Sequence, residues 1–524
     1  MSKTVRQVAL ATCLGAIAFC VATETAQASA FALKEFTAEG LGNSFAGQTA
    51  KAYDASTAYY NPAGLSFLDS NEFFQTATWI QPDVHFSGQN SNPLYAAGVG
   101  GPNVQGIQGP NAIKPAGLGA FFGNYRINDD FNVGLSFTVP YGQRSEYKEN
   151  WVGRYQALAS DITDYELGVV MSYKINDHWS VGGGVKADYF EGRLSQALNV
   201  SAIGLQVAQG LGAGAQQAAT GAAQAAAGAQ QAAAAAQAAA AAGNTAQAAA
   251  LSAQASALAQ QAQAAKTLAT NLGASATTMQ TMSLGWAMAG SDGLGKLTGD
   301  DYGVGYNLGT EFIIDPQTRI GFDYKSKMFH TISGNSQIQL PGNAAQAPSQ
   351  FTSLFVNQSA SLKLTTPDNA SAGIYHDINR QWAVMADVQW TGWSCLKQLT
   401  VVGAQTGIIS NTPENWKNSW AFSFGVNYKP ADRWTLHFGT AYDEAPMSDS
   451  NRLARVPDMD RYWVSTGASY AFSKSTDIHL GYAHLFTSGG NITDGSGAAE
   501  GGGVLTGSYT GSVDIVSASL QMRF

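Results

Sequence analysis

Alternation with a period of two dominates the C-terminal half of the chain. Trp382, Val384, Ala386, Val388 and Trp390 share one face of an extended segment, while Ala383, Met385, Asp387 and Gln389 share the other. The pattern recurs in Trp420, Phe422, Phe424, Val426, Tyr428, in Trp434, Leu436, Phe438, Thr440, Tyr442, and in Tyr462, Val464, Thr466, Ala468, Tyr470. A soluble β-sandwich also alternates. Here large aromatics bracket the apolar face in strand after strand, as they do at the two interfaces of a membrane. The final residues continue the theme: Val516, Ala518, Leu520, Met522 and Phe524 alternate with Ser517, Ser519, Gln521 and Arg523. A closing aromatic on an alternating strand is the ending expected of an outer-membrane barrel, whose last strand pairs with its first.

Short Asn/Asp turns separate many of these segments. Ile127-Asn128-Asp129 precedes Phe131, Ile175-Asn176-Asp177 precedes Trp179, Ile378-Asn379 precedes Trp382, and Asp432 precedes Trp434. Such residues favour tight turns, and these read as periplasmic connections, with longer polar links on the outer side. The expectation is an all-β transmembrane barrel of about fourteen antiparallel strands. Its strands should start near Glu72, Lys114, Phe131, Asp164, Trp179, Asp301, Thr318, Ser361, Trp382, Lys417, Trp434, Arg461, Asp477 and Tyr509. The barrel thus occupies 68–524.

Two stretches break the rhythm. Residues 31–67 carry Gly40, Gly42, Gly47, Asn61, Pro62 and Gly64 but no strand period, and are expected to form an N-terminal hatch inside the lumen. Residues 194–288 form an Ala/Gln-rich insertion in an outer loop, uncharged from Leu194 to Ala265. Ala and Gln favour helix. Gly243-Asn244-Thr245 looks like a helix stop followed by an N-cap, and Leu251, Leu258, Ala265 and Leu272 recur every seventh residue. This predicts two antiparallel helices, roughly 215–242 and 246–272. A low-complexity loop is the alternative, since Gly221 and Gly228 each weaken a helix by ~1 kcal/mol.

The N-terminus sets the compartment. Lys3 and Arg6 precede an apolar run from Val8 to Val21, and Ala28-Ser29-Ala30 makes a cleavage site, so residues 1–30 read as a signal peptide and Phe31 as the mature start. Its removal takes Cys13 and Cys20 with it and leaves Cys395, excluding an internal disulfide in the mature chain. Only 12% of the 524 residues are charged, about half the usual share. The net charge of -9 disfavours a nucleic-acid partner. The seven histidines are scattered and form no metal set, and no nucleophile elbow or catalytic carboxylate pair stands out. No enzymatic activity, catalytic residue, metal or cofactor is therefore expected.

Several motifs, in order along the chain, carry a resemblance. Phe31-Ala32-Leu33-Lys34-Glu35-Phe36 leads to Gly40-Leu41-Gly42, and Asn61-Pro62-Ala63 forms an N-P-A triplet. Thr298-Gly299-Asp300-Asp301-Tyr302-Gly303, Tyr324-Lys325-Ser326, then Asn451-Arg452, Pro457-Asp458 and Asp460-Arg461-Tyr462-Trp463 follow. Together they resemble the FadL family of outer-membrane long-chain fatty-acid transporters, relatives of toluene-type hydrocarbon importers. The resemblance implies capture of substrate between outer loops, transfer to a lumenal pocket, and lateral release into the bilayer after a hatch shift. It makes Asn61, Pro62 and Ala63 hatch or gating residues. It points to Lys417 as the residue that holds the substrate head group, and the odd parity of Lys417 relative to Trp420, Phe422 and Phe424 directs it to the lumen. A second family basic residue falls nearest Arg193, although an ungapped match puts Gln196 there.

The expected partners are a long-chain fatty acid or other hydrophobic small molecule, outer-membrane lipid and lipopolysaccharide, with the protein a monomer in the bacterial outer membrane. Import of uncharged aromatic or aliphatic hydrocarbons, or a surface-adhesive role for the insertion, are the alternatives.

Overall fold

The computed structural model describes residues 30–498 and 501–524. The expected signal peptide, apart from Ala30, lies outside the described residues. The wall begins with β1 (Glu72–Asn90), β2 (Ala116–Arg126), β3 (Phe131–Glu146), β4 (Ala159–Asn176), β5 (Trp179–Leu198) and β6 (Gly293–Asp315). Two wall strands are each broken in two: β7 (Thr318–Lys325) with β8 (Met328–Gln339), and β9 (Gln358–Thr366) with β10 (Asn369–Asp377). After β11 (Trp382–Thr391), a hairpin of β12 (Gln398–Gly403) and β13 (Gly407–Pro413) rises in an outer loop. The wall resumes with β14 (Ser419–Ala431), β15 (Trp434–Asp443), β16 (Arg461–Ser473) and β17 (Thr476–Thr487). The short β18 (Gly490–Asp494) precedes the last strand, β19 (Leu505–Arg523). β19 pairs antiparallel with β1 from Glu72↔Arg523 to Asn90↔Leu505, so fourteen wall strands close into a barrel.

Burial is inverted relative to a soluble protein. Trp420, Phe422 and Phe424 are exposed, as are Leu167, Val169, Met171, Val464, Leu480 and Val516. The alternate positions are polar and buried: Thr76 and Thr78 on β1 face Ser519 and Ser517 on β19, each pair hydrogen-bonded at 2.8 Å. An apolar outside is stable only against lipid, and closure leaves no strand edge to satisfy there.

The hatch fills the lumen. It holds α1 (Ala38–Gly42), α2 (Thr57–Tyr60) and a 3₁₀ turn (Pro62–Phe67), nearly all buried. Two tracks of wall glycines receive it. A Cβ at Gly439 or Gly481 would collide with Asn43 or Ala38, one at Gly467 on the strand between them would press closely on Gly42, and one at Gly182, Gly309 or Gly321 would collide with Pro62, Asn61 or Thr49. The hatch therefore lies directly on the wall backbone.

β3 departs from a regular ladder. It pairs with β2 only from Asn132 to Phe137, and its register against β4 shifts between Thr138 and Tyr141, around Pro140. Proline offers no N–H to a ladder. The hatch start takes up the freed edge instead: Leu33 N–H donates to the Pro140 carbonyl at 2.8 Å, and Gly142 N–H to the Phe31 carbonyl at 2.7 Å. The outer part of β2 is left paired with β1 alone.

The insertion is a helical hairpin of α3 (Val200–Ala241) and α4 (Thr245–Ala289), each about 65 Å long at 1.5 Å per residue. Asn199 and Asn244 cap the two helices, their side-chain oxygens accepting from Ala202 N–H at 3.0 Å and Gln247 N–H at 3.2 Å. The helices extend beyond the expected spans at the barrel end. There Val200, Ala208, Met279 and Trp286 pack with Leu198, Ala344 and Phe351, so tertiary burial stabilises glycine-containing turns that propensity alone does not.

Candidate functional site

An apolar cavity of about 110 Å³ lies in the upper lumen, beneath the outer loops. Strands β5, β6, β8 and β9 supply Phe190, Leu194, Leu297, Ile332 and Leu362, and the hatch supplies Phe31. Phe31 is 3% exposed and sits edge-on to Trp393, at 4.9 Å between ring centroids, and to Tyr141 at 5.7 Å. It thereby forms the cavity floor, on the segment that borders the break in β3.

Two charged side chains line this cavity among the described residues, Glu414 and Arg455. The Arg455 guanidinium donates to the carbonyl oxygens of Ala159 (3.4 Å) and Ser195 (3.3 Å) and to the side-chain oxygen of Gln196. Glu414 lies in the connection between β13 and β14, outside the wall. Burial pushes its carboxyl up to about 8, with Asp494 adding and Arg455 opposing. Near neutral pH the Glu414 carboxyl is protonated, which leaves Arg455 as the charged lining residue among those described. An apolar slot with a guanidinium at its wall suits a long chain ending in an anion.

The two basic residues expected to hold a head group lie elsewhere. Lys417 is 56% exposed and its ammonium pairs with Glu444 at 2.6 Å, outside the cavity. The parity argument fails because β14 starts only at Ser419. Lys417 precedes the strand, and in the connection before it Glu414 and Trp416 are the buried positions. Arg193 is exposed on the opposite face of β5 from Phe190, Gly192 and Leu194, which line the cavity. Gln196, the position of the ungapped match, is instead the neighbour of Arg455. Sequence reading missed Arg455, which lies in an aperiodic loop two residues before Pro457. Its only available signal was a basic residue close to the Asn451-Arg452 and Pro457-Asp458 motifs.

The N-P-A triplet sits where the hatch meets β5, β6 and β7. The Asn61 amide donates to the carbonyls of Thr49 (2.7 Å) and Thr310 (3.2 Å), and its oxygen accepts from Ala63 N–H at 3.2 Å. The Ala63 carbonyl in turn accepts from Ser172 (3.0 Å) and Ser180 (2.9 Å). Asn61 therefore ties hatch to wall and hatch to itself. Above the barrel, a groove of about 870 Å³ at the base of the hairpin is lined by Leu94, Val99, Trp286 and Ala287, with the Arg154–Asp292 ion pair (2.7 Å) at its side.

The model of the outer membrane protein transport protein family (OMPP1/FadL/TodX) matches residues 19–231 and 253–524. The chain belongs to this family. It is 25% identical over 489 residues to the long-chain fatty acid transport protein of Escherichia coli K12, covering 92% of this chain and 93% of that one. It is 26% identical over 507 residues to the putative outer membrane protein NMB0088 of Neisseria meningitidis, covering 92% and 93%. Solved folds agree. A Pseudomonas aeruginosa FadL homologue superposes with a TM-score of 0.72 at 24% identity, covering 94% of this chain and all of the other. The Pseudomonas putida toluene transporter TodX gives 0.59 at 16%, covering 95% and 100%. This FadL-family member is thus an outer-membrane barrel for transport of hydrophobic molecules and not an enzyme.

Proposed function

We propose that the protein takes up long-chain fatty acids across the outer membrane without an energy source. The groove at the hairpin base catches the chain, and the upper cavity holds it with its carboxylate against Arg455. A shift of Phe31 and the hatch then frees the edge of β3, and the substrate leaves sideways between β2 and β3. Each CH₂ gains ~0.8 kcal/mol on entering the bilayer, which drives the last step. The observation that carries the reading is the apolar cavity with a guanidinium in its wall. It favours an anionic amphiphile over an uncharged hydrocarbon.

The test is Arg455→Ala with oleate and with octadecane. Oleate binding should weaken by about tenfold or more, the scale of a charge-assisted contact, while octadecane binding changes little. Lys417→Ala should leave both unchanged. If Arg455→Ala binds oleate as tightly as the parent, import of uncharged hydrocarbons becomes the better reading.

A further inference from the structure

Below Phe31 lies a second, smaller chamber of about 90 Å³, between the hatch and the wall. Ala32, Leu33 and Lys34 line it on the hatch side, and Pro140 and Tyr141 border it where β3 parts from β2. The segment from Phe31 to Lys34 is thus a partition with an apolar residue facing the upper cavity and a cation facing the lower one.

The chamber's chemistry differs from that of the cavity above. Three ammonium groups line it, those of Lys34, Lys186 and Lys325, against one carboxylate, Asp387. Lys186 is held by Glu166 at 2.8 Å and Lys325 by Asp323 at 2.5 Å. Asp387 accepts from the Thr49 backbone N–H at 3.4 Å and from its hydroxyl. Lys34 stands apart. Its ammonium lies 4.9 Å from the Trp463 ring centre and 5.9 Å from that of Phe45, and among the described residues it has no carboxylate oxygen within salt-bridge distance. Glu35, next in the chain, turns its Oε2 to the Lys34 backbone N–H instead, at 2.9 Å. Ring faces hold a cation in place while leaving it free to take an anion.

We propose that this chamber is a second carboxylate station, in which Lys34, supported by Lys186 and Lys325, receives the head group of a fatty acid after it leaves Arg455 and before it reaches the gap between β2 and β3. The inference rests on the fatty-acid reading above. It adds that the partition hands the anion from one cation to another, so the head group need not cross the low-dielectric lumen unpaired. An uncharged chain of the same length gains nothing from the station.

The experiment measures delivery from purified protein to acceptor vesicles, alongside equilibrium binding, for oleate and for oleyl alcohol. Lys34→Met keeps the aliphatic contact with Phe45 and Trp463 but removes the charge. It should leave oleate binding at the upper cavity within about twofold and slow oleate delivery by about tenfold. Oleyl alcohol delivery should stay at the parent rate. Lys34→Arg should restore oleate delivery, and a heat-modifiable band on cold gels shows that each variant is folded. Equal slowing of oleate and oleyl alcohol, or no slowing of either, overturns the station. Arg455→Ala, read by binding alone, reports separately on the upper site. Its failure leaves the Lys34 result interpretable, because delivery compares two ligands within one variant.

Discussion

Glu414 gives the upper cavity a pH response of its own. Its carboxyl is neutral below about 8 and ionises above that value, placing an anion in the wall that Arg455 otherwise makes attractive. Binding of hexadecanesulfonate, which stays charged throughout, should be constant near neutral pH and fall as pH rises past about 8. Glu414→Gln should flatten that profile, and a profile unchanged by the substitution would remove Glu414 from the site. Stability follows the same proton. Between the ordinary value of 4.5 and about 8 the folded barrel keeps a proton that the unfolded chain has released, so stability declines as pH rises across that window. At Pro62 the competing effects are local. Pro62→Gly loosens a turn whose neighbours Asn61 and Ala63 bind the wall through three contacts between 2.9 and 3.2 Å. Uptake should fall more than the melting temperature does if the hatch gates transport. Equal losses would reduce the triplet to a structural turn.

At the scale of elements, the periplasmic strand starts were legible, as was the outer start at Arg461, while the long outer extensions of other strands were not. The expected starts at Glu72, Phe131, Trp179, Thr318, Trp382 and Trp434 coincide with the observed ones. In several of these an Asn or Asp side chain folds back on the turn, as Asn128 Oδ1 does in accepting from Asp130 and Phe131, both at 2.9 Å. β4 and β6 begin at Ala159 and Gly293, well before the expected Asp164 and Asp301. Their outer extensions rise above the bilayer, where no lipid imposes an apolar face, so the period-two signal disappears while the ladder continues. The site suffered from the same blindness. Arg455 and Glu414 occupy connections without a period, and a parity rule does not reach back beyond the strand start at Ser419. The hairpin is a separable element: Gly214 and Gly228 lie against Leu272 and Leu258, so the half-buried heptad leucines pack on its own inner seam. Replacing residues 215–271 by a short turn should leave the base cluster around Trp286 and a heat-modifiable barrel. Loss of the folded band would show that the distal helices support the wall.

For the whole molecule, the β1–β19 seam joins the two ends of the folded chain through nineteen consecutive pairs. The hatch precedes β1 and lies inside the ring that this seam closes. It must therefore be indoors before the door shuts. Closing a loop of this length costs entropy before any seam contact forms, which makes such topologies slow. A chain whose wall zips first would leave its first forty residues stranded outside a complete ring. Refolding from urea into detergent should accordingly give two heat-modifiable populations, one resisting a protease that cuts near Lys51 and one clipped there. Refolding with the hatch supplied as part of a slowly diluted, still open chain should favour the resistant form. A single protected population at every dilution rate would mean that the hatch slips in through the finished wall, and the break beside Pro140 would then be an entrance as well as an exit.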